Sequence, residues 1–286
     1  MIKRLKKLKK IFKGKIKNIF HVINPFIIYI LVMLFVQLIW SFALCFYYQN
    51  YSSVKEISIK ALSMMQKQSI YITFVSSLVL IPIFLKMCKK EQNQNQIYNE
   101  RYFKRINIKQ LLTTLFLGVI TAVTGNLIAN CFAYYCDINQ TSMYNSSNHI
   151  IMYLCIGIAT PIVEELLFRC LLYFRLLEHK ERSFSIICVS FLFALCHESI
   201  IAAIYAFILS IILLMIWELS ENLVLCIIAH IIANVVTITV SVLNINIVIN
   251  SNIIVGFIFV GLILSFISIF LFMLSNMRFI REKFKK

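Results

Sequence analysis

The sequence predicts an all-α polytopic membrane protein, a helical bundle of about eight transmembrane helices. Three observations carry this. Of the 286 residues, 60% are hydrophobic, against about 45–50% in soluble domains, and the mean hydropathy is +0.85. Apolar stretches recur at roughly the 20-residue length that crosses a bilayer. Only 6 Gly and 3 Pro are present, which leaves little room for long structured loops or a separate soluble domain.

By length and apolarity the spans fall at about 24–48, 70–87, 111–136, 149–176, 184–199, 200–218, 222–243 and 252–276. Only the polar break His197-Glu198-Ser199 separates the fifth from the sixth, and the fifth is short. The chain thus divides into a basic segment at 1–23, N-terminal transmembrane helices over 24–148, a core with the polar motifs over 149–243, and a last helix with a basic tail over 252–286.

Net charge is +16 and unevenly spread; residues 1–17 (MIKRLKKLKKIFKGKIK) hold nine Lys/Arg and no acid. Placed before an apolar span, this run reads as a positive-inside topology signal. It also suits an interfacial helix on anionic lipid, and no nucleic-acid partner is expected. Lys89, Lys90, Arg101, Lys104, Arg105 and Lys109 cluster in loop 88–110, Lys180 and Arg182 in loop 177–183, and Arg278, Arg281, Lys283, Lys285 and Lys286 in the tail. Loops 137–148 and 244–251 have no Lys or Arg. Eight spans put every strongly basic segment on one side, so the reading is a multi-pass cell-membrane protein with both termini cytoplasmic. The nine cysteines are scattered, mostly inside apolar spans and without a C-x-x-C. They read as small buried apolar residues rather than a disulfide framework.

Three polar constellations interrupt the spans. Glu164-Glu165-x-x-x-Arg169 lies in the fourth, where each charge costs roughly 2.5–3.5 kcal/mol at a bilayer centre on insertion scales. Residues i and i+4 share a helix face, so Glu165 and Arg169 are expected to pair. Glu164, rotated about 100° away, is expected to face elsewhere and be free for chemistry. Pro161, one turn earlier, should kink the helix or free a carbonyl near Gly157. The second constellation, Phe193-x-x-x-His197, ends the fifth span; the third, His230-x-x-x-Asn234, stacks two polar side chains on one face of the seventh. Each alone fits interhelical packing as well as function. Together they supply a carboxylate to activate water, an imidazole to share its proton, and a second imidazole and a carboxamide for a developing oxyanion. The same atoms suit a metal: Glu164, His197 and His230 are a plausible zinc set. The H-E-x-x-H spacing of zinc peptidases is absent.

This ordered set, Glu-Glu-x-x-x-Arg, Phe-x-x-x-His and His-x-x-x-Asn on successive apolar spans, resembles the CPBP (Abi) family of CAAX prenyl endopeptidases and bacteriocin-processing enzymes, over about residues 150–237. The resemblance implies a membrane-embedded endopeptidase with its catalytic core at 149–243. Glu164 would activate water with His197, and His230 and Asn234 would stabilise the oxyanion. Glu165 and Arg169 would support the site, and Phe193 would shape the wall beside His197. A metal-free mechanism and a metalloprotease are both described for such proteins, so zinc stays an open alternative rather than an assigned cofactor. There are departures. Cys170 stands where a Gly commonly follows the Arg. Residues 201–216 (IAAIYAFILSIILLMI) hold no Gly for close helix contacts, and Glu221-Asn222-Leu223-Val224 replaces a Gly-Ser-Leu-Trp-like turn. The expected partner is a peptide or membrane-protein substrate, not necessarily prenylated, and nothing in the sequence sets an oligomeric state. Two readings from other classes remain: a non-catalytic bacteriocin self-immunity or membrane-binding protein of the same fold, and an ion-coupled transporter, against which stands the lack of an inverted repeat.

Overall fold

The computed structural model describes residues 2–49, 53–94, 105–136, 148–243 and 251–276. Among these residues the chain is helical and without strands. The helices are α1 (Ile2–Tyr47), α2 (Val54–Lys67), α3 (Ser69–Gln94), α4 (Ile108–Tyr135), α5 (His149–Leu177), α6 (Arg182–Leu195), α7 (Ile200–Ser220), α8 (Leu223–Val242) and α9 (Ser251–Ser275). Six are long and apolar enough to cross a membrane, and Arg182–Leu195 and Val260–Ser275 are shorter apolar helices. Each of the eight expected spans therefore has an apolar helix. The side chains of residues 1–16, Arg101, Lys104, the tail from 278, and the loops 137–147 and 244–250 lie outside the described set, and with them most of the charges on which the topology expectation rests.

One helix was not expected. The stretch 49–69 contains α2, too polar and too short to register as a span. Ser53 caps it, its Oγ accepting from the Glu56 N–H at 3.2 Å, and the Trp40 Nε1–H donates to Gln68 Oε1 at 2.8 Å, fixing the elbow against α1. The weak break between the fifth and sixth spans is real. Ser199 ends the turn and caps α7, accepting from the Ala202 N–H at 3.2 Å. This leaves α6 with 14 residues, about 21 Å at 1.5 Å per residue, short of the roughly 30 Å hydrocarbon layer. A short α6 thus ends at a turn that carries a half-buried His197.

α5 is the central helix and packs on α1, α3, α6 and α8. Phe168, Phe193, Leu213, Leu225 and Ala229 lie in the same buried cluster around it. The sequence offered no glycine on the sixth span for close packing, and the structure supplies it from α4. A Cβ on Gly118 would meet the Ala229 carbonyl oxygen of α8 at 2.8 Å, closer than side-chain carbons sit. α4 thus presses directly on the helix that carries His230.

Three prolines lie inside helices, Pro25, Pro82 and Pro161, and at Pro25 and Pro161 a side chain from another helix takes a carbonyl that the proline frees. Pro25 lacks the N–H that would reach back four residues to the His21 carbonyl. Arg175 of α5 donates to that oxygen through Nη1 at 2.6 Å, and through Nε to Glu91 Oε1 of α3 at 3.0 Å. Pro161 is treated likewise, within the site described next. One cysteine expectation fails: Cys88 of α3 and Cys170 of α5 form a disulfide, with Cα atoms 6.1 Å apart, inside the range a bridge requires. Both side chains point into the same α3–α5 contact, a proximity that their separation of 82 residues hides in the sequence.

Candidate active site

α5 is not a uniform α-helix. Residues Tyr153–Ala159 and Leu166–Tyr173 are π-helical, and between them the six residues Thr160–Glu165 form an α-helical turn that carries both glutamates. Such π segments are rare and concentrate at functional sites. In the first of them the Thr160 N–H closes on the Cys155 carbonyl, five residues back. The next bond in that frame would run from residue 161 to Ile156, but residue 161 is proline. Asn234 Nδ2 of α8 donates to the Ile156 carbonyl instead, at 2.9 Å. The freed carbonyl is thus Ile156, not Gly157 as an α-helical count gives, because the π frame shifts the pairing by one.

The glutamate pair converges on one imidazole. His230 Nδ1–H donates to Glu165 Oε1 at 2.8 Å, while His230 Nε2 lies 3.5 Å from Glu164 Oε2. The two glutamates point about 100° apart around the helix, as expected, and the two nitrogens of one ring reach both. Arg169 Nη1 donates to the same Glu165 Oε1 at 2.9 Å, the i,i+4 pair the sequence predicts. Its Nη2 donates to Ser210 of α7, at 3.0 Å to Oγ and 3.2 Å to the carbonyl. Glu165 and Arg169 are 0% exposed, whereas the Glu164 side chain keeps 13%. That difference separates the two carboxylates: Glu165 is enclosed by Arg169 and His230, and Glu164 is the one with an open side.

Phe193 is the floor of the cluster. The Arg169 guanidinium carbon sits 4.9 Å from its ring centroid, a cation–π contact. The rings of Phe168, His197 and His230 lie at 5.0, 5.1 and 5.8 Å from it. One side chain therefore touches all three polar motifs. His197, half-buried on the turn after α6, has Nδ1 3.0 Å from the Phe193 carbonyl. A carbonyl only accepts, so Nδ1 carries the hydrogen, and in the neutral ring Nε2 holds the lone pair.

Glu164, Glu165, Arg169, Phe193, His197 and His230 are thus gathered at one place. Asn234 lies one turn beyond His230 on the same face of α8, engaged with Ile156. Residues outside the sequence reading also take part. Ser210 receives Arg169, and Tyr29 of α1 lies in the neighbourhood of Glu164 and Cys196. Nothing in the local sequence of either points there, since both contacts join distant helices.

The zinc alternative fares less well. Both nitrogens of His230 face carboxylates. Glu164, His197 and His230 are not a set whose ligand atoms lie within 4.8 Å of one another; among the described residues that condition is met elsewhere, by His21, Glu91 and Glu178. As they stand, the three do not form a compact donor set.

The family model described as Rce1-like, type II CAAX prenyl endopeptidase Rce1-like, matches residues 146–236. The match spans α5 to the middle of α8 and contains all three motifs. A search of curated proteins and one of solved structures returned no match.

Proposed function

From the premise that residues 146–236 carry the CAAX prenyl endopeptidase family's segment, we propose that the protein is an intramembrane endopeptidase in which Glu164 and His197 activate a water molecule. The observation that supports this best is the division of labour around His230: one enclosed carboxylate on Nδ1, and one partly open carboxylate beside Nε2.

Glu164 accepts the proton of a water lying between it and His197. The Nε2 lone pair of His197 faces the same reaction because its Nδ1–H is held by the Phe193 carbonyl. The resulting hydroxide adds to the scissile carbonyl carbon, and the carbonyl oxygen takes up the negative charge. His230, held through Nδ1 by Glu165, presents Nε2 on the side of Glu164 and is the imidazole donor for that oxygen. Asn234 uses one amide hydrogen on Ile156; a carboxamide has two, and the second is the oxyanion donor. Collapse of the tetrahedral intermediate expels the amine, which takes the proton stored on Glu164. Apolar surroundings strengthen each of these interactions. The substrate is a peptide or membrane-protein segment with its scissile bond within reach of α5, with or without a prenyl group.

Cleavage of fluorogenic peptides by the detergent-purified protein tests this. Wild type should cleave, prenylated and unprenylated peptides should be compared side by side, and Glu164→Gln should lose at least about 10²-fold, the scale of a general base. Undiminished cleavage by Glu164→Gln would refute the assignment. Cell protection from a peptide toxin that survives both Glu164→Ala and His197→Ala would favour a non-catalytic immunity role.

A further inference from the structure

We propose that His21, Glu91 and Glu178 form a binding site for one divalent transition-metal ion of the zinc class, away from the catalytic cluster, that ties α1 and α3 to the end of the active-site helix. His21 belongs to α1, Glu91 to the last turn of α3, and Glu178 immediately follows α5. One ligand atom from each, the imidazole nitrogen and two carboxylate oxygens, lies within 4.8 Å of the others. His21 Nε2 and Glu178 Oε2 are 3.8 Å apart. Around a tetrahedral zinc with bonds of about 2.1 Å, neighbouring ligand atoms stand about 3.4 Å apart. The three need to close by up to about 1.4 Å, a movement that side-chain torsions of the more exposed His21 and Glu178 supply.

Two of the three ligands are held in place independently of any ion. Arg175 donates to the His21 carbonyl that Pro25 frees, which fixes the backbone of the imidazole ligand. It also donates through both Nε and Nη2 to Glu91 Oε1, which orients the carboxylate. Arg175 is itself 7% exposed and Glu91 12%, so this support is enclosed. The guanidinium offsets one carboxylate, leaving the set with a net charge of about −1 before an ion binds, which still attracts a dication, though less than two unneutralised acids would. One imidazole and two carboxylates match borderline cations such as zinc better than magnesium or calcium, which take oxygen donors only. Water completes the shell, since the His21 side chain is 41% exposed.

A metal here would act on α5 through its end, not through the scissile bond. Loss of activity on chelation would then be no argument for a metal at Glu164. The site does not depend on the proposed catalytic reading, because its test reads bound metal and not cleavage.

The full chain in detergent is stripped with a chelator, equilibrated with Zn²⁺, desalted, and its metal content measured by elemental mass spectrometry. About one equivalent is expected in wild type, in Glu164→Gln and in His179→Ala. His21→Ala should lose it, and Glu178→Gln should bind at least about tenfold more weakly. Zn²⁺ should raise the melting temperature of wild type and leave that of His21→Ala unchanged; His21→Ala is scored only if its metal-free melting temperature matches that of metal-free wild type, and otherwise His21→Gln replaces it. Absence of bound zinc in wild type, or an unchanged equivalent in the folded His21 variant, would overturn the proposal, as would loss of the metal in Glu164→Gln.

Discussion

Glu165 Oε1 is shared by His230 Nδ1 at 2.8 Å and Arg169 Nη1 at 2.9 Å, so one buried carboxylate oxygen couples the imidazole of α8 to the guanidinium that reaches α7. Removing one member strands the others. Arg169→Ala leaves Glu165 enclosed without its cation, and breaking a buried pair costs about 3–5 kcal/mol. The Glu165→Gln/Arg169→Met double variant, which leaves neither charge behind, should be more stable than Arg169→Ala alone. Thermal melts in detergent decide this. Equal destabilisation by the single and double variants would show that the pair is not electrostatically coupled.

The same oxygen predicts a kinetic split. Glu165→Gln keeps the shape but replaces the carboxylate that accepts from His230 Nδ1 with a neutral carboxamide, so the ring is held less firmly in its orientation. The expected result is a loss in kcat of about 10²-fold with KM nearly unchanged, the pattern for an interaction made only in the transition state. A rise in KM alone would assign Glu165 to substrate binding.

Asn234 and Pro161 should be energetically coupled through a group neither contains, the Ile156 carbonyl. Asn234→Leu leaves that carbonyl unpaired inside a span, at about 1–3 kcal/mol. In Pro161→Ala the restored N–H can take the Ile156 carbonyl itself, so the further cost of Asn234→Leu should shrink by about 1 kcal/mol or more. A double-mutant cycle on stability reads the coupling, and strictly additive effects would separate the two residues. Activity adds a second reading: Asn234→Leu should stay impaired in the Pro161→Ala background, because the second amide hydrogen is still missing.

These couplings mark the boundary of what the sequence made legible. The eight apolar helices follow from length and hydropathy, because in hydrocarbon the backbone must satisfy itself within each segment. The i,i+4 pair Glu165–Arg169 and the shared face of His230 and Asn234 follow from helix periodicity. α2 escaped because its polar face lowers its hydropathy. The meeting of Glu165 with His230 spans 65 residues and depends on how α5 and α8 are rotated, which periodicity within one helix does not fix. The π segments escaped for a related reason. Local composition does not distinguish them from an α-helix, and the first is supported by a partner, Asn234, on another helix.

Phe193→Leu tests whether the ring does more than fill space. It is 0% exposed, and losing its outer carbons should cost about 1–3 kcal/mol. Because Arg169, His197 and His230 all rest on it, activity should fall further than stability predicts when both are measured at a temperature where the variant is fully folded. Phe193→Tyr or Trp, which keep an aromatic face, should be compared with it. Activity that follows folded fraction alone would reduce Phe193 to a packing residue.

Glu221 occupies φ 48° and ψ 40°, the left-handed cap that ends α7, and among the described residues it is the one non-glycine with positive φ. It stands where the turn was expected to carry Gly. The next residue, Asn222, fits its place, accepting the Val224 N–H at 3.0 Å as the cap of α8. An L residue in this region costs about 1 kcal/mol relative to glycine. Glu221→Ala and Glu221→Gly both remove the carboxylate, so their difference isolates the backbone. Glu221→Gly should be the more stable of the two by about 1 kcal/mol, read as a higher melting temperature in the same detergent. Because this turn sets the angle between α7, which holds Ser210, and α8, which holds His230, the Gly variant should also retain more activity than the Ala variant. The reverse order would mean that the Glu221 turn does not adopt the left-handed conformation.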